Sequence, residues 1–394
     1  MENSVLNIAL NKDKCCGCSS CESVCPVSAI SMINDEDGFL YPFINGNKCI
    51  NCGKCRTVCP VENCDSKSSS KPSKIYSFCH SDEDIWIKST SGGAFTAIIQ
   101  ELLLENKEKD FYVCGAIFDS GKVVHRAIKI YSIKDLDLFH KSKYVQSDIR
   151  NVYKEIDAIL KEKNSFLVFA GTPCQVKAIR NVFRSYSNKM FLIDFVCHGV
   201  GSPLFFEKYC TDFYNKPITN YSFREKKIVF NHLFQYFSKF TISKRTHYRN
   251  RDAFNRLFLE QLITRKVCNG HCLLRTSKRV SDLTLGDFRN VIKYISDADK
   301  QKMNTQKNYS MIIPNSDFGE SIIKNIGNFG NLFSAFPEGI NENPLYFKNL
   351  PGNDARDSFF EFFRKNGIKK AVKKYIPHYR FKKYSYIIHA LKDK

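Results

Sequence analysis

The sequence predicts a small α+β module, then an α/β domain with a mixed sheet, then a helical C-terminal tail. Three observations predict it. One cysteine formula is written twice between Cys15 and Pro60, a Ser/Lys/Pro stretch from Cys64 to Lys74 has the composition of a linker, and beyond it strand-like, turn-like and helix-like segments recur. The expected divisions are residues 1–61, a linker at 62–74, the α/β domain at 75–320 and a basic helical region at 321–394.

The cysteine formula comes first. Cys15, Cys18, Cys21 and Cys25-Pro26 are spaced C-x2-C-x2-C-x3-C-P, and Cys49, Cys52, Cys55 and Cys59-Pro60 repeat that spacing. This is the spacing of a bacterial ferredoxin with two 4Fe-4S clusters. Three thiolates on one tight loop reach three corners of a cuboidal cluster, but the loop cannot curl back to the fourth. The fourth cysteine therefore serves the other cluster. The expected sets are Cys15, Cys18, Cys21 with Cys59, and Cys49, Cys52, Cys55 with Cys25. A disulfide framework gives no reason to duplicate the prolines, and zinc ribbons use two C-x2-C pairs. Cys16 and Cys64 lie out of register and read as bystanders. A hairpin from Ile30 to Phe43, turning at Asp37-Gly38, should complete this ferredoxin-like fold.

After the linker, Lys74 to Cys79 reads as extended. Ser89 to Gly93 leads into AFTAIIQELLLEN, whose apolar positions recur at helical spacing behind Ser/Thr capping residues. Phe111–Phe118 and Val123–Ile130 read as strands and Asp148–Lys161 as a helix. Phe166–Ala170 (FLVFA) reads as a buried strand, Gly171-Thr172-Pro173 as a turn, and Cys174–Phe183 as a helix opened by proline. A second such unit runs through Met190–Val196, CHGVGSP and a helix over Pro203–Tyr214. Such units put ligand-binding turns at the carboxyl ends of strands. Ile218–Ile242 reads as β-rich, Arg251–Thr264 as a helix, and the last third, rich in Phe and Lys, as helical.

Composition narrows the setting. The N-terminus lacks the pattern of a secretory signal, and no apolar run of 18 residues is long enough to span a bilayer. Seventeen cysteines, eight of them assigned to oxygen-sensitive clusters, point to a reducing cytoplasm. A net charge of +20 raises the question of nucleic acid, but no helix-turn-helix, zinc-finger or RNP pattern accompanies it. The excess is concentrated in residues 364–394, with eleven Lys or Arg against one acid, Asp393. That tail reads as a solvated basic helix. The alternative is contact with acidic electron carriers or peripheral contact with an anionic membrane face.

SGGAFTAI (Ser91 onward), SKYVQSDI (Ser142–Ile149), GTPCQVKAIR (Gly171–Arg180), DFVCHGVGSP (Asp194–Pro203) and RVSDLTLGDF (Arg279–Phe288) occur in one order. In that order the chain resembles the coenzyme F420 hydrogenase/dehydrogenase beta subunit family, over most of residues 75–320 and in the N-terminal module. The resemblance implies an iron–sulfur flavoprotein oxidoreductase. Electrons would pass between clusters and FAD, and the flavin would exchange hydride with coenzyme F420, another deazaflavin or a different small-molecule substrate. Bacterial members most like this chain are associated with polysaccharide assembly. The resemblance puts Ser91, Gly92, Gly93, Ser142, Lys143, Tyr144, Gly171, Thr172 and Gln175 around the flavin. Glycine turns there would approach the pyrophosphate, Lys143 would offset its charge and Tyr144 would stack or hydrogen-bond. It also implies a third cluster on Cys174, Cys197, Cys268 and Cys272. The chain departs from the family pattern in having C-x3-C at the last pair and Arg289 after GDF. His198 is a candidate proton relay, Asp282 and Asp287 read as turn caps, and no catalytic acid or base is assigned. The alternative function is an electron-transfer subunit with no substrate site of its own, docked to a redox partner such as a ferredoxin-like protein.

Overall fold

The computed structural model describes residues 11–62, 64, 71–119, 121–214, 217–230, 233–242, 244–249 and 252–377. Most of the Ser-rich stretch and the basic tail beyond residue 377 lie outside them.

The duplicated formula has a duplicated backbone. Two residues after the first cysteine of each loop, Gly17 and Asn51 take left-handed conformations, and Ser19 and Gly53 do so again two residues later. Each loop then turns into a short helix, Ser20–Ser23 or Lys54–Val58, that carries the third cysteine. Between them β1 (Ile30–Asn34) and β2 (Leu40–Ile44) pair antiparallel, with Ile30 opposite Ile44. The turn needs glycine: Gly38 has φ +84°, and a Cβ there would lie 2.2 Å from Leu204 Cβ.

The α/β domain is built on a mixed sheet of eight strands. These are β3 (Ile75–His80), β4 (Asp110–Asp119), β5 (Lys122–Lys129), β6 (Ser165–Gly171), β7 (Met190–Phe195), β11 (Leu283–Phe288), β12 (Tyr309–Pro314) and β13 (Gly330–Ala335). Their order is β13-β3-β12-β11-β7-β6-β4-β5, with β11, β7, β6 and β4 parallel. Strand β6 is buried along its whole length. Phe166, Val168 and Ala170 pack on one face with the Ala94–Glu105 and Asp317–Ile326 helices, and Leu167 and Phe169 pack on the other with Val152–Lys161 and Pro173–Val182. That is why FLVFA shows no polar alternation. Strands β8 (Ile218–Phe230), β9 (Leu233–Ile242) and β10 (Arg245–Arg249) form a separate antiparallel sheet.

Two expectations change. The sheet runs past residue 320, because β13 pairs antiparallel with β3, Gly330 opposite His80 and Ala335 opposite Ile75. This edge strand is six residues long and its buried positions only roughly alternate, so its signal is weak. The solvated helix expected over residues 364–394 is described only to residue 377, and there Ile368, Ala371, Val372 and Ile376 are buried. Before it, Phe359, Phe360 and Phe363 on the Ala355–Asn366 helix are buried against Phe39 of the N-terminal hairpin and Phe205 of the Pro203–Asp212 helix, with ring centroids 5.0 to 6.3 Å apart. Arg356 and Arg364 bind Asp37.

The two domains share a seam. Arg265, fully buried, donates from Nε to Cys15 O (2.8 Å), from Nη1 to Gln146 Oε1 (2.9 Å) and from Nη2 to Leu40 O (2.8 Å). Gln146 Nε2 donates to Cys16 O at 3.2 Å, and Tyr153 Oη to Cys18 O at 2.7 Å. A Cβ on Gly17 would stand 2.7 Å from both Arg265 Nη1 and Gln146 Nε2, so the loop can meet them only as glycine. Truncating Arg265 leaves these buried acceptors unpaired, at about 1–3 kcal/mol each. Arg265→Ala is expected to lower the anaerobic melting temperature sharply. Arg265→Lys should not restore it, because an ammonium cannot reproduce the guanidinium fork.

Candidate functional site

Two cavities open between the cysteine loops. One, about 530 Å³ counting solvent at its mouth, is lined by Cys15, Cys18, Cys21 and Cys59 and walled by Ile30, Met32, Pro42 and Ile44. The other, about 370 Å³ on the same measure, is lined by Cys25, Cys49, Cys52 and Cys55. The first cavity also takes in Cys16 and Cys55, so Cys55 and Cys59 of the second loop face the first loop's thiols there, and Cys25 of the first loop joins the second loop's three in the other. Burial, then the facing thiols Cys18, Cys15 and Cys59, push the Cys21 thiol far up. Burial and then Cys18 likewise push Cys59 up to about 11. Thiols that raise one another in an apolar enclosure are a donor set awaiting a cation, and the set fits a 4Fe-4S centre. Among the described residues no three His, Cys, Asp or Glu side chains converge as they would around a single ion.

Four more thiols lie near enough to act on one another electrostatically at the carboxyl rim of the sheet. Cys174 lies in the first turn of the helix after β6, Cys197 two residues past β7, Cys268 in a short 3-10 turn and Cys272 just beyond it. Burial, then Cys174, push Cys197 up to about 12 against the pull of Arg275. Burial, then Cys272, Cys197 and Cys174, push Cys268 further up. Gly199, at φ +132°, lets the turn after Cys197 approach, since a Cβ there would lie 3.0 Å from Cys268 Cβ. Arg275 holds the same turn, donating to Cys197 O (3.3 Å) and His198 O (2.7 Å). His198, the candidate relay, keeps Nε2 buried without a hydrogen-bond partner among the described residues.

Cys16, read as a bystander, lines the first cavity. Cys174 first and Cys18 next push its thiol pKa well up, and Cys16 in turn holds Cys18 down to about 7. It thus touches the first cavity and the four-thiol group at once. Cys64 donates to Leu273 O at 2.9 Å.

The residues expected at the flavin gather along the segment 141–147, which crosses this rim. At one end Ser142 bonds Thr90 (3.0 Å), beside Ser91 and Gly92-Gly93 at the start of the Ala94–Glu105 helix. At the other end Ser147 binds Gln175 (3.0 Å) and His125 (2.8 Å). Several have duties other than those expected. Gly93, not Ser or Thr, caps the helix, with φ +90°. Gly92 is required by packing, since a Cβ would fall 2.0 Å from Phe78 O. Lys143 donates to Leu138 O, Phe139 O and His140 O, so it serves a turn, and burial, then Lys141, holds its pKa down to about 7. Tyr144 stacks on Phe258 at 4.7 Å. Thr172 and Gln175 form a capping box that opens the Pro173–Val182 helix. Asp282 accepts from Leu192 N as a structural tie, whereas Asp287 pairs with Arg224.

Composition and spacing did not single out Arg224 and Lys226. Arg224 Cζ lies 3.9 Å from the Tyr236 ring centroid, with Nη1 on Asp287. Lys226 donates to Trp86 O and Ser91 O. Asn308 donates to Thr90 O and Tyr236 Oη and leaves a buried Oδ1 without a partner among the described residues. Donors converging beside a helix start, with an orphaned acceptor, fit a polar cofactor such as a flavin.

Residues 14–63 match the 4Fe-4S dicluster domain, and residues 165–333 match the C-terminal region of the coenzyme F420 hydrogenase/dehydrogenase beta subunit. Over residues 165–333 the chain belongs to the coenzyme F420 hydrogenase/dehydrogenase beta-subunit family, behind a 4Fe-4S dicluster domain. It is an iron–sulfur electron-transfer subunit of the oxidoreductase type. No curated protein matches it. Among solved structures, the F420-reducing [NiFe] hydrogenase complex from Methanosarcina barkeri is similar over 78% of this chain and 92% of that one, at 14% identity and a TM-score of 0.44. Among the described residues no helix is long and apolar enough to cross a membrane.

Two buried histidines give this rim a pH dependence. Burial above all holds His125 and His140 down to about 4. Because the folded pKa lies below the unfolded value of about 6.5, their contribution is complete above that pH and is lost as pH falls toward 4. The melting temperature should therefore fall as pH is lowered from about 6.5 to about 4. His125→Gln should flatten that slope, and an unchanged slope would remove His125 as its source.

Proposed function

We propose that two 4Fe-4S clusters in the N-terminal module exchange electrons, by way of a third cluster, with FAD at the sheet rim, and that the flavin reduces or oxidises a small substrate. The ligands are Cys15, Cys18, Cys21 and Cys59 for the first cluster, Cys25, Cys49, Cys52 and Cys55 for the second, and Cys174, Cys197, Cys268 and Cys272 for the third. The observation that carries this reading is the crossing of thiols between two cavities, with Cys16 joining the first of them to four further thiols.

A flavin, when bound, couples one-electron centres to two-electron chemistry. The N-terminus of the Ala94–Glu105 helix, Ser91, Gly93, Ser142, Tyr144, Arg224 and Lys226 would hold it. Gly92, Lys143, Gly171, Thr172 and Gln175 keep the surrounding turns in place. Coenzyme F420 or another flavin-type acceptor is the substrate class that the family suggests, and oxygen-sensitive clusters place the chain in the cytoplasm. A second reading, an electron-transfer subunit without a substrate site, is favoured by Lys143 and Tyr144 being engaged within the protein.

Anaerobic purification with iron, sulfide and flavin counts tests both. About twelve irons per chain are expected, falling to about eight in Cys174→Ser/Cys197→Ser with the first two clusters' electron paramagnetic resonance retained. Stoichiometric FAD supports the first reading, and clusters without flavin support the second. Fewer than about eight irons in the unaltered chain would overturn the ligand assignment.

A further inference from the structure

We propose that the end of the N-terminal module around Cys49, Cys52 and Cys55 is the docking face for an acidic one-electron carrier protein, steered by Lys48 and Lys54. This rests on the assignment of a cluster to that cavity. Exposure comes first. Cys52 is exposed while Cys15 and Cys18 are buried, so the second cavity is the one a partner can approach closely. Its rim carries two exposed apolar side chains, Val27 (36%) and Ile50 (61%), with Lys54 beside them.

Charge is segregated across the module. Five of the acids among its described residues are paired: Asp13 with Lys266, Asp35 with Lys12, Glu36 with Arg364, Asp37 with Arg356 and Glu62 with Arg56. The sixth, Glu22, accepts from Met32 N at 2.9 Å. Asp35, Glu36 and Asp37 all sit at the hairpin turn, two of them under the C-terminal helices. Residues 38–61 hold Lys48, Lys54 and Arg56 and no acid. Lys48 and Lys54 are exposed and form no ion pair among the described residues. An apolar centre with a one-sign charged rim is the anatomy of a small, transient redox interface, where complementary charge sets the encounter rate rather than the affinity. The net charge of +20 on the whole chain adds a field of the same sign. One electron crosses: the reduced carrier loses it, the centre held by Cys25, Cys49, Cys52 and Cys55 gains it, and neither atom nor proton moves.

The test is stopped-flow reduction of the full anaerobic chain by a reduced, acidic plant-type 2Fe-2S ferredoxin, with dithionite as a small reductant for comparison. Lys48→Glu/Lys54→Glu is expected to slow reduction by ferredoxin about tenfold or more at low salt, to flatten the salt dependence, and to leave the dithionite rate and iron content unchanged. Lys370→Glu/Lys373→Glu, the same charge change on the Ile368–Tyr375 helix, should slow it less than twofold. Equal slowing by both pairs would mean net charge alone acts and would overturn the proposal. So would an unchanged ferredoxin rate in Lys48→Glu/Lys54→Glu, or loss of binding to anionic phosphatidylserine vesicles as that pair's only effect. Low iron in the unaltered chain would instead fault the cluster assignment, a failure distinguishable from this one.

Discussion

A buried guanidinium without a carboxylate is the constraint on which the assembly turns. Arg265 lies between the domains with carbonyls, an amide oxygen and the Tyr41 ring (4.1 Å to the centroid) around it, and no acid forms an ion pair with it among the described residues. The nearest group able to carry negative charge is the Cys15 thiol, 3.6 Å from Nη2. A desolvated cation is tolerated only when paired and hydrogen-bonded. Four thiolates on a 4Fe-4S core carry a net negative charge. With the proposed cluster in the first cavity, Arg265 would tie domain docking to that cavity's occupancy, since the charge that stabilises the seam would come with the centre.

The same seam lines up the thiol groups. The two module cavities share Cys55 and Ile30 in their walls, and Cys16 links the first cavity to Cys174. The three thiol groups thus run in series from an exposed end, at Cys52, to the sheet rim. The C-terminal helices complete the arrangement from the far side. Their phenylalanines close over Phe39, and Arg356 and Arg364 neutralise the hairpin turn. A ferredoxin module tethered only by a linker would sample many orientations, whereas this one is clamped with its second cavity outward.

At the rim, polar side chains meet two demands at once. Lys143 and the Thr172/Gln175 capping box satisfy backbone groups at a 3-10 turn and a helix start, groups that would otherwise be buried without partners. Beside the Ala94–Glu105 helix the same holds: Ser142 bonds Thr90, Arg224 pairs with Asp287, and Lys226 donates to Trp86 O and Ser91 O. The rim is therefore selective by subtraction: much of its polarity is spent on holding its own turns.

The sequence by itself determined whatever is set by spacing along a few residues. The crossing of Cys25 and Cys59 follows from loop reach, the Gly38 turn from a positive φ, and the buried strand FLVFA and its proline-opened helix from local composition. Tertiary structure alone decided the rest. Arg265 meets Cys15 across 250 residues and Arg356 meets Asp37 across 319, and no local pattern marks a partner at that separation. Cys16 lay one position out of register and looked idle until the fold brought Cys174 against it. Strand β13 and the Phe359–Phe363 face read as a helical tail because short edge strands and single apolar faces acquire meaning only from what covers them. Loop closure and backbone sterics act within the chain's immediate reach, but pairing of buried charge and apolar surface acts only once the whole molecule has closed.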